Sequence, residues 1–267
     1  MIGRNLEAVW IVYRRALREL IALGPQTLVA PLVVPGFVLI AYSSLFTDVF
    51  ARLNFSIADT PGFGPNPHYV QYLIAAPMVM SALLSTASAG IGVAVERQLG
   101  FYDRMEISPL GPSVSQIARR LGDGTRIALF VVVLTFVGRA AGAEIVNWPL
   151  ALGVTIPLAA ALGMAYGGIA FSLCLRTGSA EAAQAVTPLF LPLLFMSTAF
   201  VPLPLIPQFL HPVAKYNPVS AICEVIRCAY MGRVSHSALR QSIVEIGILA
   251  AVSQTLIIRA ERRLRHR

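Results

Sequence analysis

Charged residues are scarce in this chain of 267 residues, where they make up 13% while hydrophobic residues make up 56%. A soluble domain of this length needs more charge to cover its surface, so the composition predicts an integral membrane protein. The formal net charge is +8, but the basic residues lie at the ends of apolar runs. This placement is typical of membrane orientation, and we therefore expect a lipid bilayer and no nucleic acid as partner.

Residues that carry catalysis or bind metals are also few. The three cysteines form no CxxC pair, and the four histidines form no HExxH motif. Lys215 is the single lysine, and it lies between Ala214 and Tyr216. An ATP-binding P-loop needs a lysine flanked by glycine and by serine or threonine, so this chain holds no P-loop. We predict no catalytic residue, metal site or cofactor in the chain.

Six apolar stretches each have about the 20 residues that a helix needs to cross a bilayer. They lie at residues 24–46, 70–95, 117–138, 149–175, 182–201 and 241–258. Charged residues occupy the first turns of the third stretch: Arg119, Arg120, Asp123 and Arg126. We expect this helix to start in the cytoplasm and to enter the bilayer near Arg126. Residues 1–23 place apolar and basic side chains on opposite helical faces, which predicts an amphipathic helix in the membrane interface.

The distribution of basic residues predicts the orientation. Fifteen of the 21 basic residues fall in segments that lie on one side of the six predicted spans. Cytoplasmic segments carry the excess of arginine and lysine, so both termini are expected in the cytoplasm. The predicted fold is therefore an all-α integral membrane protein with a single transmembrane domain over residues 1–267.

Residues 202–240 are too apolar for a simple outer loop, and prolines divide them into short pieces. Two short apolar helices in this segment predict a re-entrant helical hairpin at the outer leaflet. A hairpin that lies on the membrane surface is the alternative. Glu224 and Arg227 lie three residues apart and could pair across one helical turn.

Glu245 is the one acidic residue inside a predicted span, about one turn from its outer end. An intramembrane carboxylate is a candidate functional group. Near the interface it could instead extend to the surface or pair with Arg240.

The charged stretch ERQLGFYDRMEISPL, residues 96–110, interrupts the apolar runs. It resembles a signature of the permease subunits of type-2 ABC exporters. The matching residues are Glu96, Arg97, Gly100, Met105, Ser108 and Pro109. Asp103 stands where the signature has glutamate, while Phe101 and Glu106 depart from it.

A second stretch, NPVSAICEVIRCAYMG, is similar to the segment that precedes the last span of the same permeases. The matching residues are Asn217, Pro218, Ile226, Arg227 and Gly232. Residues 197–220 further resemble the daunorubicin-resistance-like branch of the family. With six spans and an interfacial helix, the resemblance covers essentially the whole chain.

The resemblance implies that residues 96–116 form a cytoplasmic coupling segment that docks on a separate ATPase subunit. The coupling residues would be Glu96, Arg97, Gly100, Asp103, Arg104, Ser108 and Pro109. Two ATPase copies would hold ATP and magnesium, while two permeases, identical or similar, would form the pathway. The expected protein lies in a bacterial cytoplasmic membrane and exports a drug, lipid or glycolipid, as in antibiotic resistance.

Two other classes remain open at the level of sequence. A secondary transporter or channel would work without an ATPase and would use buried ionisable residues, of which Glu245 is the candidate. An integral membrane enzyme that modifies lipids would need clustered histidines or carboxylates at one membrane face, and the sequence shows no such cluster.

Overall fold

The structure is a computed structural model, and it describes residues 13–14, 26–52, 69–85, 90, 92, 94, 111–179 and 181–265. Over this part of the chain the regular elements are helices, and no strand is present. The α-helices are α1 (Gln26–Arg52), α2 (Tyr69–Leu73), α3 (Ala75–Leu84), α4 (Gly111–Ala140), α5 (Trp148–Thr177), α6 (Glu181–Val186), α7 (Phe190–Phe195), α8 (His211–Lys215), α9 (Pro218–Tyr230) and α10 (His236–Arg265). The all-helical prediction is confirmed for the described residues.

Among the described residues, three helices are long and apolar enough to cross a membrane: Arg119–Ala140 within α4, Trp148–Thr177, and His236–Arg263 within α10. Shorter apolar helices correspond to the other predicted spans, at Pro31–Phe46, Tyr69–Leu84 and Glu181–Phe195. A total of six spans therefore stays a prediction. The predicted interfacial helix, residues 1–23, lies outside the described residues except for Tyr13 and Arg14, which are helical.

Proline breaks two of the shorter apolar segments. Pro77 has no N–H, and its ring crowds the carbonyl group of Leu73, four residues before it. The helix is accordingly interrupted at Ile74, between α2 and α3. In the fifth predicted span, a 3₁₀ turn that contains Pro188 separates α6 from α7. Both breaks leave backbone carbonyl groups without the partners that a continuous helix would supply.

The central helix is α5, which contacts α3, α4, α9 and α10. Asn147 caps its first turn by accepting a hydrogen bond from Leu150 N at 3.0 Å, and Gly178 ends it in a left-handed conformation. Its 30 residues span about 45 Å, more than the roughly 30 Å of a hydrocarbon core. At Gly163, an added Cβ would lie 3.1 Å from Ala82 O, so glycine permits the close approach of α3.

The hairpin segment contains 3₁₀ turns at Leu203–Leu205 and Gln208–Leu210, followed by α8 and α9. Helix α9 is almost wholly enclosed by protein, because Glu224 is its one exposed residue from Val219 to Tyr230. It packs against α3, α5 and α10. The helix is thus packed within the protein, while the re-entrant hairpin and its surface-lying alternative both stay predictions.

Candidate functional site

Arg227 is the centre of the most extensive polar cluster among the described residues. Its side chain is 5% exposed, and its guanidinium group donates to backbone carbonyl oxygens. Nε lies 2.7 Å from Tyr72 O, while Nη2 lies 2.7 Å from Thr198 O and 2.8 Å from Ala199 O. These acceptors belong to two other segments of the chain, so Arg227 joins α9 to both of them.

The acceptors are available because helices end beside them. Tyr72 is next to the last residue of α2, and residues 198–199 follow the end of α7. The last carbonyl groups of a helix have no intrahelical partners and carry partial negative charge. In an apolar environment such groups need an internal partner, and a guanidinium group offers five donors in one plane. Arg227 therefore bonds a carbonyl group at the end of α2 and two in the turn that follows α7.

Two tyrosines extend this contact. Tyr72 donates from its hydroxyl group to Thr198 O, and its ring lies 3.6 Å from the guanidinium carbon of Arg227. Tyr69 donates to Phe200 O at 2.6 Å. We call Arg227, Tyr69, Tyr72 and the carbonyl groups of residues 198–200 the Arg227 cluster. A cation over an aromatic face is attractive, so hydrogen bonds and ring contact act together here.

Aromatic rings connect the Arg227 cluster to α1. Phe46 lies 5.2 Å from Tyr69 between ring centroids, and Tyr42 lies 5.8 Å from Phe200. On the other side Phe200 stacks on Phe195 of α7 at 5.4 Å. The cluster thus unites the predicted first, second and fifth spans with the hairpin.

Asn217 and Pro218 begin α9 and fix its position. Asn217 Oδ1 accepts from Val219 N at 3.0 Å, which caps the helix, and proline suits the first helical turn. The amide nitrogen of Asn217 donates to Leu193 O of α7 at 2.6 Å. The sequence resemblance singled out both residues, and their geometry gives them a positioning role in the hairpin.

Gly232 ends α9 at φ +73°, a conformation that favours glycine. Gly232 N donates to Ala229 O and Arg233 N to Cys228 O, which is the Schellman arrangement. An added Cβ at Gly232 would lie 3.2 Å from Val146 Cγ1. Glycine is therefore required here both by the turn and by the approach to the start of α5.

The possible ion pair between Glu224 and Arg227 is not formed. Arg227 is directed to the backbone carbonyl groups, while Glu224 is exposed and accepts from Ser235 Oγ at 3.2 Å. Spacing along one helix permits the pair, but the buried guanidinium group is bonded instead to three backbone carbonyl groups.

Glu245 accepts a hydrogen bond from Gln241 Nε2 at 2.9 Å. Its other oxygen, Oε2, is buried without a partner. Arg240, the alternative partner, instead donates from Nε to His236 O at 3.4 Å. Glu245 shares no hydrogen bond with Arg227. Its role in transport stays a prediction.

Arg126 repeats the arrangement of Arg227 at the opposite end of α3. It is 3% exposed, and Nη2 donates to Ser85 O at 3.0 Å and to Asp123 Oδ1 at 2.8 Å. Ser85 is the C-cap of α3. The sequence analysis named Arg126 only as the point where the helix enters the bilayer. A charged residue inside an apolar helix could have indicated that it bonds another part of the chain.

The predicted coupling residues all lie outside the described residues, which resume at Gly111 after residue 94. They are Glu96, Arg97, Gly100, Asp103, Arg104, Ser108 and Pro109. Their coupling role stays a prediction. Residues 90, 92 and 94 are helical and lie between α3 and that segment along the chain.

An apolar cavity of about 480 Å³ lies between α5 and α10. Its lining includes Gly153 and Gly247, where an added Cβ would meet no atom within 4 Å. All the lining residues are apolar. The cavity can take hydrocarbon, but it offers no side chain that would orient a polar group.

In the described part of the chain, no cluster of histidine, cysteine or carboxylate groups could hold a metal ion.

The described residues thus define an all-helical membrane protein whose broken helices are held by buried arginines. The family model described as ABC-2 family transporter protein matches residues 47–259. The chain therefore belongs to the ABC-2 transporter family, whose members are transport permeases and work with an ATPase subunit.

Relatives with the name transport permease ycf38 agree with this assignment. The chain is 28% identical to the protein of Porphyra purpurea over 211 residues, which cover 77% of this chain and 68% of the relative. It is 26% identical to the protein of Cyanophora paradoxa over 248 residues, which cover 88% of this chain and 78% of the relative.

Proposed function

We propose that this chain is the membrane subunit of an ATP-driven exporter that moves a hydrophobic or amphiphilic substrate out across a bacterial cytoplasmic membrane. ATP and magnesium would be bound by a separate ATPase, in two copies. The permease would act as a dimer with itself or with a similar chain. Drugs, lipids and glycolipids are the candidate substrates, and drug export would confer antibiotic resistance.

The observation that carries the proposal is that α3 is held at both ends by an arginine from another element. Arg227 binds the segment at Tyr72, before α3, and Arg126 binds Ser85, directly after it. The proposed coupling segment follows α3 in the chain. A rigid helix with fixed ends can transmit displacement of that segment to the hairpin and the outer face, as a chain of packed elements does.

The character of the described helices supports an apolar or amphiphilic substrate. The buried charged side chains in them, Arg126 and Arg227, are both bonded to backbone carbonyl groups. The cavity between α5 and α10 is lined by apolar residues. A small charged substrate would need fixed groups of opposite charge along its path.

The first experiment is purification of the complex from native membranes in a mild detergent, with ATP hydrolysis as the readout. Wild type is compared with the double variant Glu96→Ala/Arg104→Ala. The matched control is Arg176→Ala/Glu181→Ala, two exposed residues of opposite charge in the last turn of α5 and at the start of α6. We expect wild type and control to retain an ATP-hydrolysing subunit and the Glu96/Arg104 variant to lose it.

Retention of the ATPase by all three proteins would place the docking surface outside Glu96 and Arg104. Absence of ATP hydrolysis from wild-type preparations in several mild detergents would overturn the exporter proposal. The second candidate function is then a secondary transporter that uses Glu245, because its Oε2 is buried without a partner. Glu245→Gln would abolish transport in that case, while Glu224→Gln, at an exposed carboxylate of the hairpin, would not.

A further inference from the structure

Near the start of α4, the positive charge of Arg120 has no ion-pair partner among the described residues. Arg120 Nη2 is buried and has no hydrogen-bond partner. Asp123 is the carboxylate whose charge acts on Arg120, but it forms its ion pair with Arg126 at 2.8 Å. Arg126 Nε is also buried without a partner. The charges of Arg119, Arg120 and Arg126 therefore all act on one carboxylate, and we call Arg120, Asp123 and Arg126 the α4 basic cluster.

The side chain of Arg120 lies against two other long helices. An added Cβ on Gly168 of α5 would lie 3.0 Å from Arg120 Nη2 and 2.8 Å from Ser253 Oγ of α10. Arg120 Nη2 and Ser253 Oγ thus lie beside the same glycine. Because both are close to one point, they are at most about 6 Å apart. The site is a junction of α4, α5 and α10, and Arg120 itself is only half-buried there.

Tyr13 indicates the depth of this junction. Its hydroxyl group lies 2.8 Å from Thr125 Oγ1 of α4, and the neighbouring Arg14 is exposed. Tyrosine next to arginine is typical of the membrane–water interface. Arg120 lies five residues before Thr125, about 7 Å along the helix toward the cytoplasm. The candidate span of α4 begins at Arg119, so Arg120 lies at the end of that span, where lipid headgroups are expected.

Membrane orientation alone does not account for a buried, unpaired guanidinium group. Exposed arginines serve that purpose at the same end of the molecule: Arg176, Arg259, Arg262 and Arg263. Removing a charge from water costs several kcal/mol unless an opposite charge and hydrogen bonds offset it. Arg120 is half-buried and forms no ion pair, so an anion from outside the chain would supply the missing counter-charge at its exposed side.

We propose that the α4 basic cluster binds the phosphate headgroup of an anionic phospholipid of the cytoplasmic leaflet. Guanidinium groups bind phosphate through two parallel hydrogen bonds, and basic pockets between transmembrane helices on the cytoplasmic side suit anionic headgroups. The half-exposed side of Arg120 is the point of contact, and Arg126 adds charge from behind it. This site is distinct from transport and does not depend on an ATPase partner.

The test is thermal unfolding of the full chain in a neutral detergent with short-chain phosphatidylglycerol, short-chain phosphatidylcholine or inorganic phosphate. A ligand that binds the folded state raises the unfolding midpoint. We expect phosphatidylglycerol to raise it more than the other two additions. Arg120→Gln should weaken the apparent affinity for phosphatidylglycerol about tenfold or more. The matched control Arg259→Gln, at an exposed arginine of α10, should leave it unchanged.

Equal shifts with the two lipids, or equal affinities of Arg120→Gln and Arg259→Gln, would overturn the proposal. A shift with inorganic phosphate as large as that with phosphatidylglycerol would assign the site to free phosphate and would overturn the lipid as its source. If Arg120→Gln does not fold, Arg120→Lys replaces it, because lysine keeps the charge and loses the two-pronged geometry. Phosphatidylglycerol should then bind several-fold more weakly, and unchanged affinity would contradict the proposal.

Discussion

Helix α3 has one attachment before its first residue and one after its last, which we call outer and inner after the proposed orientation. The two use the same residue type in different ways. At the outer one, Arg227 donates to three carbonyl groups and covers the ring of Tyr72. At the inner one, Arg126 donates to one carbonyl group and to Asp123, and its Nε has no partner. The outer attachment is more completely bonded, so we expect it to be the stationary one.

The difference shows what an arginine inside a membrane protein requires. Broken helices supply carbonyl groups that compensate a buried guanidinium group without any acidic residue. Arg126 donates to only one carbonyl group, and a carboxylate supplies its second acceptor, while Nε stays without a partner. The proposed exporter would place its coupling segment at the less completely bonded end.

The largest effect is expected from Arg227→Ala. The substitution removes the guanidinium donor of three carbonyl groups, of which Thr198 O keeps the Tyr72 hydroxyl group, and it separates the hairpin from two segments. We therefore expect a loss of about 3–5 kcal/mol in unfolding free energy. The measurement is the yield of monodisperse protein and its thermal midpoint in detergent. Arg233→Ala, at an exposed arginine just after α9, is the control. Equal yields and equal thermal midpoints of the two variants would show that the Arg227 contacts do not stabilise the fold.

The sequence predicts the long apolar helices well. Helices α4, α5 and α10 contain the third, fourth and sixth predicted spans, because about 20 apolar residues are a direct signal. Their ends are less predictable. Helix α10 runs over His236–Arg265 although its apolar part was assigned to residues 241–258, since polar residues continue a helix beyond the hydrocarbon core.

The contacts of the Arg227 cluster could not be predicted in the same way. Arg227 and Asn217 were singled out by resemblance, but their acceptors are backbone carbonyl groups, which every residue has. Tyr72 is 155 positions away from Arg227 in the chain. The possible ion pair of Glu224 with Arg227 was inferred from their spacing along one helix. It is not formed, because Arg227 bonds carbonyl groups that are distant in the sequence. The residues proposed for coupling, from Glu96 to Pro109, lie outside the described residues and stay predictions.

Arg126→Ala should have the intermediate effect. It removes the donor to Ser85 O and leaves Asp123 without its ion pair, for which we expect a loss of about 2–3 kcal/mol. Thermal unfolding under the same conditions measures it. The double variant Asp123→Asn/Arg126→Gln should recover part of the loss, because it removes both charges together. A loss as large as that of Arg227→Ala would show that the two ends of α3 are equally bonded.

Tyr69→Phe should have the smallest effect, and it separates the hydrogen bonds of the Arg227 cluster from its ring packing. The variant loses the hydrogen bond to Phe200 O and keeps the ring beside Phe46 and Tyr72. We expect a loss of about 1 kcal/mol, seen as a fall of a few degrees in the thermal midpoint. Tyr216→Phe, where the side chain is 74% exposed, is the control and should leave the midpoint unchanged. If Tyr69→Phe also leaves it unchanged, the outer attachment depends on Arg227 and aromatic packing, and the tyrosine hydroxyl group contributes nothing measurable to it.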